Sequence, residues 1–330
     1  MRTMNILVLS AGTRNKVLQY FKKELGDEDR LLATDCSNLA PAVYEADMFY
    51  PVPRITAPEY VDVILKLCKR ERVNAAFSLI DPELSLLAAH RDDFLELGTT
   101  PVVSPYEIVE TCFHKYRMYK LLCAQGIPTA KCYLRPEEFY DAQGKKEADF
   151  PVFVKPENGS ASIGIHRLTT REEIETLYHL HDGLMIQEFM DGQEIGVDAY
   201  VDLLSGKCVS IFAKKKIKMR AGETDKSVSF KDEALFSFVA DFLESNGFRG
   251  MIDLDIFDQN GEYYLSEVNP RFGGGYPHAY ACGVNFPKLM LNNLRGNKNL
   301  PNIGAYKENV CMMKYNEVLI KDFDGKEIVP

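Results

Sequence analysis

The sequence predicts an α/β protein: a parallel open-sheet unit over residues 1–110, then mixed α+β structure to residue 330. Three stretches carry that prediction. Met4–Ser10 is an apolar run that breaks at Ala11-Gly12-Thr13-Arg14 and yields to a helical pattern through Phe21, the strand–turn–helix opening of a parallel unit. Pro151–Lys155 is a short strand whose lysine leads at once into a loop of glycines and serines. Gly250–Gly275 reads as a β-hairpin with an oily face and an acidic face.

In chain order, Leu31–Asp35 gives a second strand ending in an acid, and Glu59–Arg70 an amphipathic helix. Ala75–Ile80 is a third strand, and Asp81-Pro82 starts a helix over Glu83–His90. Val102–Ser104 is expected to close the sheet. Ile108–Gln125 is expected to be one long helix, stopped by Gly126-Ile127-Pro128. Pro136–Asp149 is polar and expected to be loop-rich, so residues 111–148 read as a linker. A small unit, 149–193, then holds strands at Pro151–Lys155, Ile165–Leu168 and Leu184–Phe189 around a helix at Arg171–Leu180. The last unit, 194–330, begins with strands Glu194–Leu203 and Lys207–Ile217. A polar segment Arg220–Phe230, a helix Asp232–Asn246, the hairpin, a helix over Pro287–Arg295 and closing strand material at Gly304–Lys321 follow.

The net charge of −9 and pI near 5.3 argue against general nucleic-acid binding. Eight cysteines without a CxxC pair suggest neither a zinc site nor a disulfide framework, and fit buried thiols of a reducing cytoplasm. No run approaches a membrane span, and the expected location is cytoplasmic. The turn at Gly12 has one glycine where a dinucleotide fingerprint needs three. Arg14 and Lys16 are either a solvated helix start or cations that hold an anion at the helix end.

In the hairpin, Ile252, Leu254 and Ile256 alternate with Asp253, Asp255 and Phe257. Gln259-Asn260-Gly261 supplies the turn, and Glu267 and Asn269 share a face on the returning strand. Asp255, Glu267 and Asn269 can therefore converge as hard oxygen ligands for Mg²⁺, with Asp253 able to stand in for Asp255. Arg271 adds a planar fork for phosphate or carboxylate. After Lys155, small residues including Gly159, Ser160, Ser162 and Gly164 let backbone N–H groups approach a polyphosphate. The lysine precedes the glycines, so this is not a P-loop. The strand end Gln187-Glu188-Phe189-Met190 can offer backbone to an adenine edge, with the acids that follow for ribose hydroxyls. Lys214–Arg220 is the basic run. Lys218 and Arg220 are its candidates for charge neutralisation, while Lys214, Lys215 and Lys216 stay unranked. Lys115 opens the linker helix as a candidate α-phosphate contact, and His278 is the one histidine expected near substrate.

Lys115, Lys155-Pro156, the glycine loop, Gln187–Met190, Glu194, Asp255 and Glu267-Val268-Asn269-Pro270-Arg271 stand in one order and at a spacing that resembles the ATP-grasp superfamily. The likeness covers about residues 5 to 300. It is nearest to the synthetase unit of the carbamoyl-phosphate synthetase large chain and the related carboxylate–amine ligases. It implies a Rossmann-like pre-ATP-grasp domain, a small lid and a larger C-terminal subdomain that clamp ATP with Mg²⁺, or Mn²⁺ on the same oxygens. It also implies phosphate contacts at Lys115 and Lys155, adenine at Glu188 and Met190, and ribose at Glu194. The metal then falls to Asp255, Glu267 and Asn269, and the transferred phosphate to Arg271. The implied chemistry activates a small carboxylate as an acylphosphate that an amine or ammonia attacks, in a chain free to form homodimers. Two other readings stay open: a bicarbonate-using subunit that needs a partner, and a non-catalytic ATP-binding module.

Overall fold

The computed structural model describes residues 3–159 and 164–322. The first sheet is wholly parallel: β1 (Asn5–Leu9), β2 (Arg30–Asp35), β3 (Met48–Pro51), β4 (Ala75–Ser78) and β5 (Thr100–Pro101), in the order β3-β2-β1-β4-β5. Helices α1 (Asn15–Glu24), α2 (Tyr60–Glu71), α3 (Asp81–Ala89) and α4 (Arg91–Glu96) connect the strands. Ile6 and Val8 of β1 pack in the cluster that holds α1, and Leu7 and Leu9 in the one that holds α2 and α3. Both faces are therefore covered, which is why the parallel strands are apolar runs.

From β1 the chain steps to β2 on one side and later to β4 on the other, so the strand order reverses between β1 and β4. In open α/β sheets the crevice beyond the carboxyl ends of the strands at such a reversal receives ligands. Two turns occupy it, Gly12–Arg14 after β1 and Ile80-Asp81 after β4. Gly12 has φ +53, and its N–H donates to Asp35 Oδ2 at 2.9 Å.

Next come α5 (Tyr106–Phe113) and α6 (Lys115–Ala124), two helices where the sequence suggests one. His114 separates them in an extended conformation, φ −98 and ψ 95, and bridges to Asn158, while the Lys115 N–H donates to Glu157 O at 3.0 Å. The break thus hangs the start of α6 on the segment that carries the glycine loop.

The second sheet is antiparallel: β6 (Cys132–Tyr133), β7 (Val152–Pro156), β8 (His166–Leu168) and β9 (Leu184–Glu188), in the order β6-β9-β7-β8. It starts inside the stretch expected to be linker. The polar segment there is largely a helix, α7 (Pro136–Gly144), with Pro136 in its first turn and Glu138 accepting from the Arg135 N–H at 3.3 Å. α8 (Arg171–Leu180) is capped by Thr170, which accepts from the Glu173 N–H at 3.3 Å. Phe139, Val152, Val154, Ile174 and Ile186 form this unit's own core. Alternation along β7 and β9 leaves Phe153, Lys155 and Gln187 on the opposite face.

The third sheet has the order β14-β13-β10-β11-β12-β15. Its strands are β10 (Gln193–Val201), β11 (Cys208–Arg220), β12 (Glu223–Phe230), β13 (Gly250–Gln259), β14 (Glu262–Asn269) and β15 (Cys311–Met313). β12 lies within the segment expected to be merely polar, and Val102–Ser104 is not a strand, although the Val102 N–H still bonds Ala76 O at 2.8 Å. Helices α9 (Glu233–Ser245), α10 (Tyr276–Ala281) and α11 (Phe286–Leu294) pack beside this sheet. Phe21, Phe77 and Phe272 meet at centroid distances of 4.9, 5.8 and 6.1 Å and join the first and third sheets in one core. Burying each such ring contributes about 1.5–3 kcal/mol. Among the described residues no helix is long and apolar enough to cross a membrane.

Candidate active site

A cleft of about 460 Å³ opens between the three sheets, with the β13–β14 hairpin as its floor. The hairpin register pairs Asp253 with Asn269 and Asp255 with Glu267, which puts all four on the cleft face. Asn260 and Gly261 have φ of 57 and 91, the left-handed pair that a two-residue hairpin turn requires. Burial, and then the neighbouring Asp255 charge, push the Asp253 carboxyl up to about 6.

Lys216 of β11 reaches across this floor, 2.6 Å from Asp255 Oδ1 and 2.8 Å from Glu194 Oε1. Burial opposes its charge, yet the two acids outweigh burial and raise its pKa. A cation already seated on Asp255 marks this corner as built to hold positive charge. Asp255, Glu267 and Asn269 present oxygens of the kind a hard divalent ion takes, with Asp255 engaged by Lys216, and among the described residues no three His, Cys, Asp or Glu side chains cluster as a metal site.

Arg271 ties the hairpin to the first sheet. Its Nη2 lies 3.1 Å and its Nε 3.2 Å from Asp81 Oδ2, and Nη1 lies 3.2 Å from Asp253 Oδ2. Burial works against this charge, but Asp81 and Asp253 hold its pKa above the ordinary value. The glycines that follow sit close against neighbouring side chains. A Cβ on Gly273 would sit 2.3 Å from Asp253 Oδ1, and one on Gly274 2.7 Å from the Glu223 carboxyl carbon.

The small sheet forms the other wall. Lys155 is buried and donates to Gln187 Oε1 at 2.7 Å, and both line the cleft with Glu188, Met190 and Glu194. Phe189 packs on Phe153 instead, at 5.4 Å between ring centroids, under the Arg167 guanidinium. Lys115 donates from Nζ to the Gly159 carbonyl, and burial lowers its pKa. Gly159 and Gly164 have φ of 113 and 73, while Ser160 and Ser162 lie outside the described residues.

Lys218 and Arg220 are not brought to the cleft. The β11–β12 register slips between Lys216 and Lys218 and again before Met219, so Lys218 turns outward and Met219 takes the cleft position. Arg220 is exposed and pairs with Asp225 at 3.2 Å. His278 is also elsewhere. It is buried, with Nδ1 2.8 Å from Ser227 Oγ and Nε2 3.0 Å from Val310 O. Burial, with Lys214 nearby, lowers its pKa to about 4. A histidine depressed in the folded state lends stability that is complete above its unfolded pKa near 6.5 and is lost as pH falls toward 4. Urea unfolding of the native chain is expected to show this loss, and His278→Gln to lack up to roughly 3 kcal/mol of it. Equal pH slopes for the two would rule it out. Glu223 lines the cleft without having been singled out from the sequence, while Lys216, Asp81 and Phe257 reach it from stretches that the sequence had already marked. The turn at Ile80-Asp81 was the available signal for Asp81, and strand alternation for Phe257.

A parallel sheet with its crevice turned toward a small antiparallel layer and a large antiparallel sheet, enclosing lysines and paired acids, is the architecture of a nucleotide-clamping protein of the ATP-grasp type. Residues 6–102 match the family described as PylC-like, N-terminal domain, and residues 181–318 the family described as ATP-grasp in the biosynthetic pathway with Ter operon. The chain belongs to the ATP-grasp superfamily. It is similar to the D-alanine–D-alanine ligase of Corynebacterium diphtheriae, 30% identical over 235 residues that cover 60% of this chain and 62% of that protein. The chain thus spans less than two thirds of that relative's length. Among solved structures, N5-carboxyaminoimidazole synthetase from Staphylococcus aureus, complexed with ADP, superposes with a TM-score of 0.72 at 13% identity. The match covers 92% of this chain and 80% of that one. The biotin carboxylase domain of the Hydrogenobacter thermophilus 2-oxoglutarate carboxylase, with MgADP and bicarbonate, gives 0.73 at 15% identity, over 94% and 74% of the two chains. At these identities the structural likeness concerns the fold.

Proposed function

We propose that the protein is a Mg²⁺- and ATP-dependent ligase that activates a small carboxylate as an acylphosphate and joins it to an amine or ammonia. The observation that carries this is the convergence, in one cleft, of Lys155 and Lys216 with the Asp255–Glu267–Asn269 face and the Arg271 fork. Relatives that are ligases support the same reading. A bicarbonate-using subunit dependent on a partner is not favoured by them.

In this reading residues 1–110 present the acceptor, residues 149–193 form the lid, and residues 194–330 carry the phosphate chemistry. The Glu188 N–H is taken up by Lys131 O at 2.9 Å, so an adenine edge falls to the backbone beyond it, at Phe189 and Met190. Met190 and Phe257 supply apolar wall, and Glu194 takes the ribose hydroxyls, with Lys216 steadying it. Lys155 and Lys115 neutralise phosphate oxygens. Asp255, Glu267 and Asn269 would hold Mg²⁺, or Mn²⁺, which when bound screens the phosphate charge. Arg271 orients the carboxylate so that its oxygen approaches the γ-phosphorus in line with the leaving ADP oxygen. The amine then attacks the acyl carbon, the C–O bond to phosphorus breaks, and inorganic phosphate departs as the amine loses a proton, which leaves the carbon as an amide. Purified protein with Mg²⁺ and ATP is expected to release ADP and phosphate when offered pooled carboxylates and amines. No release above the substrate-free rate across such pools would refute the reading.

A further inference from the structure

Two lysines of β11 reach across β10 toward acids, and they end differently. Lys214 lies opposite Gly196 in the strand pairing and its ammonium meets Asp198; both side chains are 1% exposed, so this pair is sealed in the core. Lys216 follows two residues on, on the same face, with its Nζ 2.6 Å from Asp255 Oδ1 and 2.8 Å from Glu194 Oε1. Its own side chain is buried, but Glu194 and Asp255 keep 30% and 25% of theirs exposed, and all three line the cleft. Gly196 leaves room for the crossing, since a Cβ there would come within 3.2 Å of Lys216 Cε. The ammonium is thus buried while its acids remain reachable from the cleft.

The two acids that Lys216 holds are the ones assigned above to different parts of the bound nucleotide, Glu194 to the ribose and Asp255 to the divalent ion. Asp255 pairs across the hairpin with Glu267, so the ammonium stands where two acids of the ion-binding face oppose each other. Metal and ammonium therefore compete for the same Asp255 carboxylate. Loss of Asp255 would leave a buried ammonium short of counter-charge, which opposes the entry of a metal ion alone. A nucleotide changes that balance. Its phosphate oxygens offer a new partner, in the same cleft, to a point charge on a flexible four-carbon stem.

We propose that Lys216 is an internal placeholder for the divalent ion: it occupies Asp255 in the nucleotide-free chain and, pivoting on Glu194, turns to the phosphates when metal and nucleotide enter together. This role rests on the nucleotide reading above and deepens it, from where the ion is held to why it enters only with its nucleotide. In the free chain the ammonium also keeps Asp255 and Glu267 from facing each other as bare charges. Lys216 couples two binding events, and by linkage the coupling is reciprocal: whatever the nucleotide adds to metal affinity, the metal adds to nucleotide affinity.

The probe is Mn²⁺, followed by the electron paramagnetic resonance of the free ion, offered alone and as Mn²⁺·ADP. Lys216→Met is expected to bind Mn²⁺ alone about 10- to 100-fold more tightly than the native chain, and Mn²⁺·ADP about 10-fold more weakly. The two changes have opposite sign, whereas a merely structural defect weakens both. Adding Asp255→Asn to Lys216→Met is expected to erase the gain, which places the added Mn²⁺ affinity at Asp255. Lys215→Met removes an ammonium that lies over the Phe230 ring, 5.2 Å from its centroid, and is expected to move neither constant. Should Lys216→Met not fold, the native chain decides, with its lysines carbon-13 labelled at Cε. The resonance that is absent from Lys216→Arg is expected to shift with Mg²⁺·ADP and to stay in place with Mg²⁺ alone. Unchanged or weaker binding of Mn²⁺ alone by folded Lys216→Met, or a Lys216 resonance indifferent to Mg²⁺·ADP, would overturn the proposal, and phosphate release by the native chain would still uphold the ligase reading. Tighter Mn²⁺ binding by Lys216→Met in a protein that turns over no substrate upholds the placeholder while the ligase reading fails.

Discussion

Glu267→Gln is expected to abolish ATP-dependent phosphate release, by about 10²- to 10³-fold or more in kcat, while leaving the fold intact. Glu267 is half-buried on the cleft face of β14, opposite Asp255, and it lines both the main cleft and the small void beside Gly159. Glutamine preserves its shape but removes the anionic oxygen that a hard divalent ion prefers. The same change lowers repulsion among Asp253, Asp255 and Glu267, so the midpoint of thermal unfolding should hold or rise slightly. The Mg²⁺ concentration needed for half-maximal residual activity should rise as well. Full turnover at unchanged Mg²⁺ demand would remove Glu267 from the metal site and with it the proposed role of the hairpin floor.

Much of that floor was legible because a half-buried strand repeats every two residues. Ile252, Leu254 and Ile256 fix the buried face, but the turn at Asn260-Gly261 alone would set Asp255 opposite Ser266, and it is a bulge between Asp255 and Ile256 that shifts the register to Asp253–Asn269 and Asp255–Glu267. The same alternation misleads along β11. Lys214, Lys216, Lys218 and Arg220 share a face only in an unbroken strand, and the slips around Lys218 end that regularity. Nothing in a run of lysines announces a bulge. The break between α5 and α6 was hidden for a related reason. Phe113-His114-Lys115 fits a helical pattern, and only the bridge from His114 to Asn158, 44 residues on, overrides it. Asp81 was read as a helix start, which it is. Its contact with Arg271, 190 residues away, appears only in the folded chain.

That long-range contact makes Arg271→Ala a costly change. The guanidinium is shared by Asp81 at the start of α3 and Asp253 of β13, and Nη1 also donates to Phe272 O at 3.1 Å. Removing it strands two carboxylates near one another in a buried setting, a loss of about 3–5 kcal/mol of unfolding free energy. Repulsion between the stranded acids should make the variant less stable at neutral pH than at pH 5. Arg271→Lys separates charge from geometry. An ammonium can neutralise one acid well and the other poorly, so about half of the lost stability should return. Turnover should not, because a point charge cannot hold a carboxylate oxygen in line with the γ-phosphate as a planar fork does. Urea denaturation and phosphate release on the same preparations measure both quantities. An Arg271→Ala protein within about 1 kcal/mol of the native chain would mean that Asp81 and Asp253 find another cation. An Arg271→Lys protein with native turnover would mean that charge alone is what the reaction draws from this position.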